Sequence, residues 1–583
     1  MMNRRLSLFL QELSYMLQLA QEVAKESPHL ADFLSEGAGD PGVERLIQGF
    51  ALLASRVRYK IEDDFPEYWL GMMMRIWPQA LRPLPPTSLV QFSSTGENHL
   101  GATTLPAGTP VFAGEGEQKM RFETCCPLHI EPLTVINRQL NTTAEYSEIT
   151  LTLCYSGNTS EWRSRPLHFF LGRDREQAAQ LALWLDFYLC DIKLRTQGET
   201  IKLRNSYPVS ALWGTERQVF ILPTKENLPS SILQLMTEYY YLPHVHDFVT
   251  IDIKQNHPSV KLNADRTFEL ILRFEGNLEL TDITQTFLLD CVPVRHLEPM
   301  TSVEIPVNKG KNDYKIPLEP TQQLFSLDHV YTLTEPKLER GQPYCYLPIE
   351  KITPTAHFQP DAEFLYYYQL NTDCDILQHT QHQLHFFDCY GQPANNLLPQ
   401  SIFCQFTGYH SQAVDLDIGE INRSGENATG LKVSNITPVS ACYPPMIEKK
   451  SSWSLISYFA GSPWIIFNTL SLQDFLKIFD FSPDQVLSRR IQAHINGIVQ
   501  LENIPMDRLD KGVPVRGHQL ILTLNPDCYV NQGEMYQFSL VVMRLMTSFI
   551  SMGAFLMMKV IDARTGEVLW DFQDMMFGLR AYM

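Results

Sequence analysis

A set of prolines near residue 80 constrains the fold of this chain more than any other sequence feature. These prolines are Pro78, Pro83, Pro85 and Pro86. Proline has no backbone N–H and clashes with the preceding helical turn, so a helix cannot continue through such a set. The sequence therefore predicts a helical N-terminal region, residues 1–87, that ends at this boundary.

The strongest helix of that region is predicted over residues 41–61. Asp40 can accept hydrogen bonds from the first turn, and Pro41 stands where no N–H is needed. Apolar residues then recur with the 3.6-residue period of one helical face. They are Val43, Leu46, Ile47, Phe50, Leu53, Ala54, Val57 and Ile61. We expect this face to pack into a helical bundle that includes another chain.

Two tryptophans beside a methionine triplet are further candidates for an interface. Trp69 and Trp77 flank Met72, Met73 and Met74. Thioethers and aromatic rings are common on binding surfaces, and they also fill irregular cores. The sequence leaves both interpretations open.

Length and composition indicate a folded protein with several domains. The chain has 583 residues, 44% hydrophobic and 19% charged, and a single core usually stops growing at ~250–300 residues. The formal net charge of −18 disfavours nucleic acid as a partner. The 11 cysteines have irregular spacing, which argues against a disulfide framework and for a reducing, cytoplasmic setting. The N-terminal apolar stretch is too short and too interrupted for a signal peptide.

The remaining sequence predicts an α+β multidomain protein. Short strands with turns begin near residue 88, and we expect a β-rich domain with an inserted helix over 88–300. A second β-rich domain is expected over 301–450, and an α/β C-terminal region over 451–583. Helical ends and a β-rich middle suggest ends that assemble and wing-like domains that project.

One C-terminal segment is apolar enough to be considered as a membrane span. Residues 535–558 carry Arg544 near their middle, which is costly in a bilayer core. We expect instead a helix over 534–549 followed by a strand, buried within the chain and partly against a partner. Its buried stripe would comprise Leu540, Val541, Leu545 and Phe549.

Several residues are of types that bind metals or catalyse reactions, but their spacing is not specific to either role. The metal candidates are Cys374, His379, His382, His385 and Cys389. A strand would alternate these histidines between two faces, and structural zinc sites usually have paired ligands on each side. The acid pairs Asp373/Asp375 and Asp415/Asp417 suit a solvated strand edge as well as glycoside hydrolysis. We predict no metal, no cofactor and no catalytic residue.

The block from residue 40 to 92 resembles the N-terminal signature of the TssF (VasA/ImpG) family of type VI secretion baseplate wedge subunits. The matching residues are Asp40, Pro41, Val43, Glu44, Arg45, Leu46, Gly49, Phe50, Phe65, Pro66, Trp77, Pro78, Leu81, Arg82 and Pro83. The run Cys291–Val294 also matches, although Arg295-His296-Leu297 follows where Asn-Leu-Phe is common in the family. The run Leu105–Phe112 looks like the Pro-x-Gly-Thr unit of contractile-phage baseplate wedge proteins.

The resemblance implies a cytoplasmic structural subunit that catalyses no reaction. It implies a wedge in which two copies of the chain associate with one TssG-type subunit. It further implies contacts with a TssK-type adaptor and a TssE-type sheath initiator, and indirect association with the inner-membrane complex. The alternative is a β-rich carbohydrate-binding protein or glycoside hydrolase that uses carboxylates and aromatics around residues 360–420.

Overall fold

A computed structural model describes most of the chain beyond residue 77. The described residues are 10, 12–17, 19–20, 42–43, 45–55, 78–94, 102–114, 119–157, 161–163, 165–196, 199–203, 209–211, 230–253, 259–263, 265–308, 310–332, 344–351, 366–374, 380–394, 401–425, 428, 430–445, 458 and 466–578. The chain forms two units. The first is Met1–Leu81 with Ile447–Ser452, and the second is Arg82–Met446 with Trp453–Met583.

Within the first unit, residues 12–17, 42–43 and 45–55 are helical, and a short 3-10 helix spans Pro78–Leu81. The described residues cover only part of the predicted N-terminal helical region, which therefore stays a prediction. Val57, Trp69 and Trp77 lie outside the described residues.

The second unit begins with strands and is strand-rich, which confirms the α+β class. Its strands up to residue 170 are β1 (Thr87–Ser94), β2 (Thr103–Leu105), β3 (Pro110–Ala113), β4 (Met120–Thr124), β5 (Leu128–Ile130), β6 (Leu133–Thr142), β7 (Tyr146–Tyr155), β8 (Glu161–Arg163) and β9 (Leu167–Phe170). Next come helix α1 (Arg175–Leu183), a π-helical turn (Trp184–Tyr188), β10 (Leu189–Thr196), β11 (Glu199–Leu203), β12 (Val209–Ala211), helix α2 (Ser230–Tyr241), a 3-10 turn (Pro243–His246), β13 (Phe248–Ile251), β14 (Ser259–Lys261), β15 (Thr267–Glu275) and β16 (Cys291–Arg295). The helix predicted inside this domain is thus present as α1.

A second run of strands follows β16. These are β17 (Glu298–Thr301), β18 (Ile305–Pro306), β19 (Asp313–Lys315), β20 (Gln322–Thr332), β21 (Tyr344–Pro348), β22 (Tyr367–Cys374), β23 (Thr380–Phe387), β24 (Ser401–His410), β25 (Ile421–Ser424) and β26 (Leu431–Asn435). Strands β17–β24 form one eight-stranded sheet with its own core, whereas β25 and β26 pair with β3 and β1. Residues 298–410 are therefore an insertion in a six-stranded sheet of order β25-β3-β4-β16-β1-β26. The domain limits predicted from sequence stay predictions.

The described C-terminal residues combine helices with one sheet. The elements are helices α3 (Thr469–Lys477) and α4 (Gln485–Asn496), strands β27 (Ile498–Asp510) and β28 (Val513–Leu524), helix α5 (Gln532–Thr547), and strands β29 (Phe555–Asp562) and β30 (Val568–Phe577). The sheet order is β27-β28-β29-β30. Helix α5 packs on α1 and α2 from the first part of the unit. The predicted helix at 534–549 and the strand after Gly553 are confirmed in α5 and β29.

Candidate assembly surfaces

The helical residues 42–43 and 45–55, called here the helix at 42–55, carry a stripe of exposed apolar side chains. Leu46, Phe50 and Leu53 expose 64%, 61% and 59% of their surface. Positions i, i+4 and i+7 lie on one side of a helix, so these three side chains are neighbours. We call Leu46, Phe50 and Leu53 the helix stripe.

The side of the same helix that adjoins the stripe is covered. Ala51 and Ser55 are buried, and Val43 and Ile47 are half-buried. The apolar face predicted from periodicity is thus divided, with Val43 and Ile47 on the covered side and the helix stripe open to solvent. Burial of a large apolar side chain stabilises by roughly 1.5–3 kcal/mol, so the stripe favours contact with another surface.

Helix α5 is buried almost all round within the chain. Its N-cap Asn531 accepts a hydrogen bond from the Glu534 N–H at 2.8 Å, and the Asn531 amide donates to the Glu176 carbonyl at 2.9 Å. Val541, Leu545 and Phe549 are fully buried, and Leu540 is half-buried. These residues are buried together with most of the helix, so the predicted stripe and its contact with a partner stay predictions.

A charged cluster that the sequence did not suggest lies at the start of α5. Glu534 is 3% exposed and accepts hydrogen bonds from Arg490 Nε at 2.9 Å and from the Val530 N–H at 2.8 Å. His494 Nε2 lies 3.3 Å from the same carboxylate. Burial alone would raise the pKa of Glu534, but His494 and Arg490 outweigh that effect and hold it below its usual value. The cluster ties α4 to α5.

A second buried charge lies where the π-helical turn meets α5. Tyr536 donates a hydrogen bond to Asp186 at 3.2 Å. Burial raises the pKa of Asp186 to about 6, against the opposing effects of Tyr536 and Arg544. Burial also lowers the pKa of Arg544 to about 10. Arg544 thus lies against protein.

The metal-candidate residues whose side chains are described, His382, His385 and Cys389, form no cluster that could hold a metal ion. In β23 the side chains alternate, so His382 is buried while His385 lies on the opposite face. His382 Nδ1 lies 3.1 Å from the Thr372 hydroxyl, and Cys389 is buried. His379 lies outside the described residues, as does Asp375, and only the strand positions of Asp373 and Cys374 are described. Within the described ranges, no group of three or more His, Cys, Asp or Glu could hold a metal ion.

The second acid pair gives no support to the glycosidase alternative. Asp415 ends a 3-10 turn, Ser411–Asp415, and Asp417 follows it on the surface. Both carboxylates are exposed, and the backbone N–H of Asp417 donates to Glu420 at 2.9 Å. A general acid needs a raised pKa, which usually requires burial.

None of the helices described here has the length and apolar character that a bilayer span requires. Residues 535–558, which are apolar enough in sequence to be considered as a membrane span, are divided between α5 and β29. The helix ends at Thr547 and the strand begins at Phe555.

Comparison with known proteins identifies the family of this chain. The sequence model described as "Type VI secretion system, TssF" matches residues 1–578. The type VI secretion system component TssF1 of Pseudomonas aeruginosa is 36% identical over 91 residues. That match spans 15% of this chain and 15% of the relative.

Solved structures share the fold along most of the chain. A chain of the type VI secretion system TssK-TssF-TssG baseplate subcomplex is 19% identical, with a TM-score of 0.69 over 92% of this chain and 99% of that chain. A chain of the baseplate complex from the type VI secretion system is 18% identical, with a TM-score of 0.53 over 97% and 98%. Because the family model spans nearly every residue, the chain belongs to the TssF family of type VI secretion systems.

Proposed function

We propose that this chain is a structural subunit of a type VI secretion baseplate and that it acts through contacts, without catalysis. The observation that carries the proposal is the match of the TssF family model to residues 1–578. The fold shared with chains of two baseplate assemblies supports it independently.

The partners proposed are a TssG-type subunit and a TssK-type adaptor. Support comes from the structural relative, which belongs to a TssK-TssF-TssG subcomplex. We extend the proposal to a second copy of this chain and to a TssE-type sheath initiator, on the family resemblance alone. In such an assembly the chain works in the cytoplasm, at the cytoplasmic face of the inner membrane, which it reaches only indirectly.

The helix stripe is the surface that we assign to a partner helix. Its three side chains are apolar, adjacent and open to solvent. An aspartate at position 50 would be left unpaired in the buried interface, which costs several kcal/mol. Loss of a few kcal/mol lowers an association constant by orders of magnitude.

Co-expression with TssG-type and TssK-type partners tests the proposal, with the mass of the purified complex as the readout. Phe50→Asp should lower the yield of complex at least about tenfold. Gln48→Asp is the matched control, because Gln48 is exposed on the same helix and lies away from the stripe.

Wild-type protein that purifies alone beside soluble partners would contradict the baseplate function. A Phe50→Asp complex at wild-type yield would instead contradict the role of the stripe. Equal losses in both variants would show that charge anywhere on this helix disrupts the protein, and the stripe would again have no special role.

A further inference from the structure

The eight-stranded unit, residues 298–410, is joined to the six-stranded sheet by two chain crossings. The chain leaves β16 after Arg295 and enters β17 at Glu298. It leaves β24 at His410 and returns to the first sheet at β25. An insertion with two crossings can turn about them unless further contacts fix its orientation.

His296 lies at the first crossing and is fully buried. Its backbone N–H donates to the Pro86 carbonyl at 2.8 Å. Its ring Nδ1 lies 2.6 Å from the carbonyl of Arg121, in β4 of the six-stranded sheet. Its ring Nε2 lies 3.0 Å from the backbone nitrogen of His410, at the second crossing. One imidazole thus bridges the first sheet and both crossings.

These partners require the neutral ring in a single tautomer. A carbonyl only accepts, so Nδ1 must carry the proton that it donates to Arg121. The His410 N–H only donates, so Nε2 must be the acceptor. A protonated ring would set a donor against a donor and break the link to His410.

The surroundings of the ring favour the neutral form. The Phe122 ring lies 4.9 Å from the imidazole and the His410 ring 5.9 Å from it, both measured between centroids. The charged groups around this junction are Glu298 of β17, which pairs with His410 at 3.0 Å, and Arg121 of β4. Burial lowers the pKa of His296 to about 4. The hydrogen bond to the Arg121 carbonyl opposes this decrease, and the neighbouring His410 adds to it.

A second, weaker contact joins the inserted unit to the segment before β1. The guanidinium of Arg82 lies over the Phe325 ring of β20, 5.3 Å from its centroid. In such a cation–π contact the guanidinium is attracted to the electron-rich face of the ring. The contact restrains the unit at one further point, beside the hydrogen bonds of His296. The Ser411 N–H, just after β24, also donates to the Thr321 carbonyl of the inserted unit at 2.9 Å.

We propose that His296 is a lock that fixes the orientation of residues 298–410 against the six-stranded sheet, and that breaking its bond to His410 lets this unit turn. The lock adds a conformational device to the proposed function. It rests on the hydrogen bonds and the topology of this chain, and it holds whether or not the baseplate assignment does.

Hydrogen exchange and small-angle X-ray scattering of the full-length protein test the lock. His296→Phe keeps an aromatic ring and removes both hydrogen bonds. We expect the His410 amide to exchange at least about tenfold faster, the strands of both sheets to keep their protection, and the maximum dimension to increase. His296→Gln has one donor and one acceptor and should restore slow exchange.

His329→Phe is the matched control, because His329 is an exposed histidine on β20 of the same inserted unit. It should behave as wild type in both measurements. Unchanged exchange at His410 in His296→Phe would overturn the proposal. Loss of protection throughout both sheets would also overturn it, since His296 would then be an ordinary core residue required for folding.

Discussion

The carboxylate of Glu534 accepts a hydrogen bond from Arg490 Nε at 2.9 Å, and a second guanidinium nitrogen of Arg490 contacts the same oxygen. Glu534 lies in the first turn of α5 and Arg490 in the middle of α4. A carboxylate near a helix N-terminus also interacts favourably with the helix dipole. One buried anion therefore orients two helices.

Replacing Glu534 with glutamine should loosen α5 from α4. The Arg490 charge and the buried His494 ring would lose their anionic partner, which we expect to cost about 2–4 kcal/mol, less than for a fully buried pair because Arg490 reaches solvent. Hydrogen exchange of the α5 amides measures this, and we expect exchange faster by roughly tenfold or more.

The control for that experiment is a surface ion pair in the same region. Asp507 and Arg516 lie 3.5 Å apart, and both are largely exposed. Asp507→Asn should change stability by less than about 1 kcal/mol. Protection of α5 that is unchanged in Glu534→Gln would show that the buried pair does not hold the helices together.

Gly533→Ala should separate α5 from α1. A β-carbon at Gly533 would overlap backbone atoms of Ala179 and Gln180, and backbone cannot move aside as a flexible side chain can. We expect a lower thermal unfolding temperature and loss of protection in both helices. Gly553→Ala is the control, since no heavy atom lies within 4 Å of its added β-carbon. Equal unfolding temperatures for the two variants would contradict close packing at Gly533.

Local patterns in the sequence predicted elements whose apolar residues recur with the period of a helix or a strand. Strands were expected to begin near residue 88, and β1 begins at Thr87. The helix at 534–549 was predicted within two residues of α5, Gln532–Thr547. In each case the period of the apolar residues matches the secondary structure that buries them.

Such local patterns could not predict contacts between residues that are far apart in the sequence. Arg121 and His410 lie 175 and 114 positions from His296, so no local window contains the junction. Arg490 is 44 positions from Glu534. Periodicity also could not show which apolar residues of the helix at 42–55 are covered and which are exposed, because Val43 and Ile47 are as apolar as the helix stripe.

We predict that the protein purifies without zinc. The strand geometry places His382 and His385 on opposite faces of β23, where they cannot share one tetrahedral site. Elemental analysis of wild type and His382→Ala should both give less than about a tenth of an equivalent. One equivalent of zinc in wild type that disappears in His382→Ala would show that a site exists.

The last prediction concerns pH and follows from the neutral state of His296. Burial lowers its pKa in the folded protein to about 4, whereas an unfolded histidine titrates near ~6.5. Between these values the unfolded chain binds more protons, so acid favours unfolding. The stability contributed by neutral His296 is complete above pH ~6.5 and declines as the pH falls toward about 4, by at most about 3 kcal/mol.

Comparison of wild type with His296→Gln isolates this contribution, because burial also lowers the pKa of His382 and of His494. Glutamine does not titrate and can retain both hydrogen bonds. Thermal unfolding measured from pH 7.5 to pH 5 should therefore show a smaller acid-induced decrease for His296→Gln than for wild type. Parallel pH profiles for the two proteins would mean that His296 does not stay neutral in the folded state, and the link to His410 would lose its physical basis.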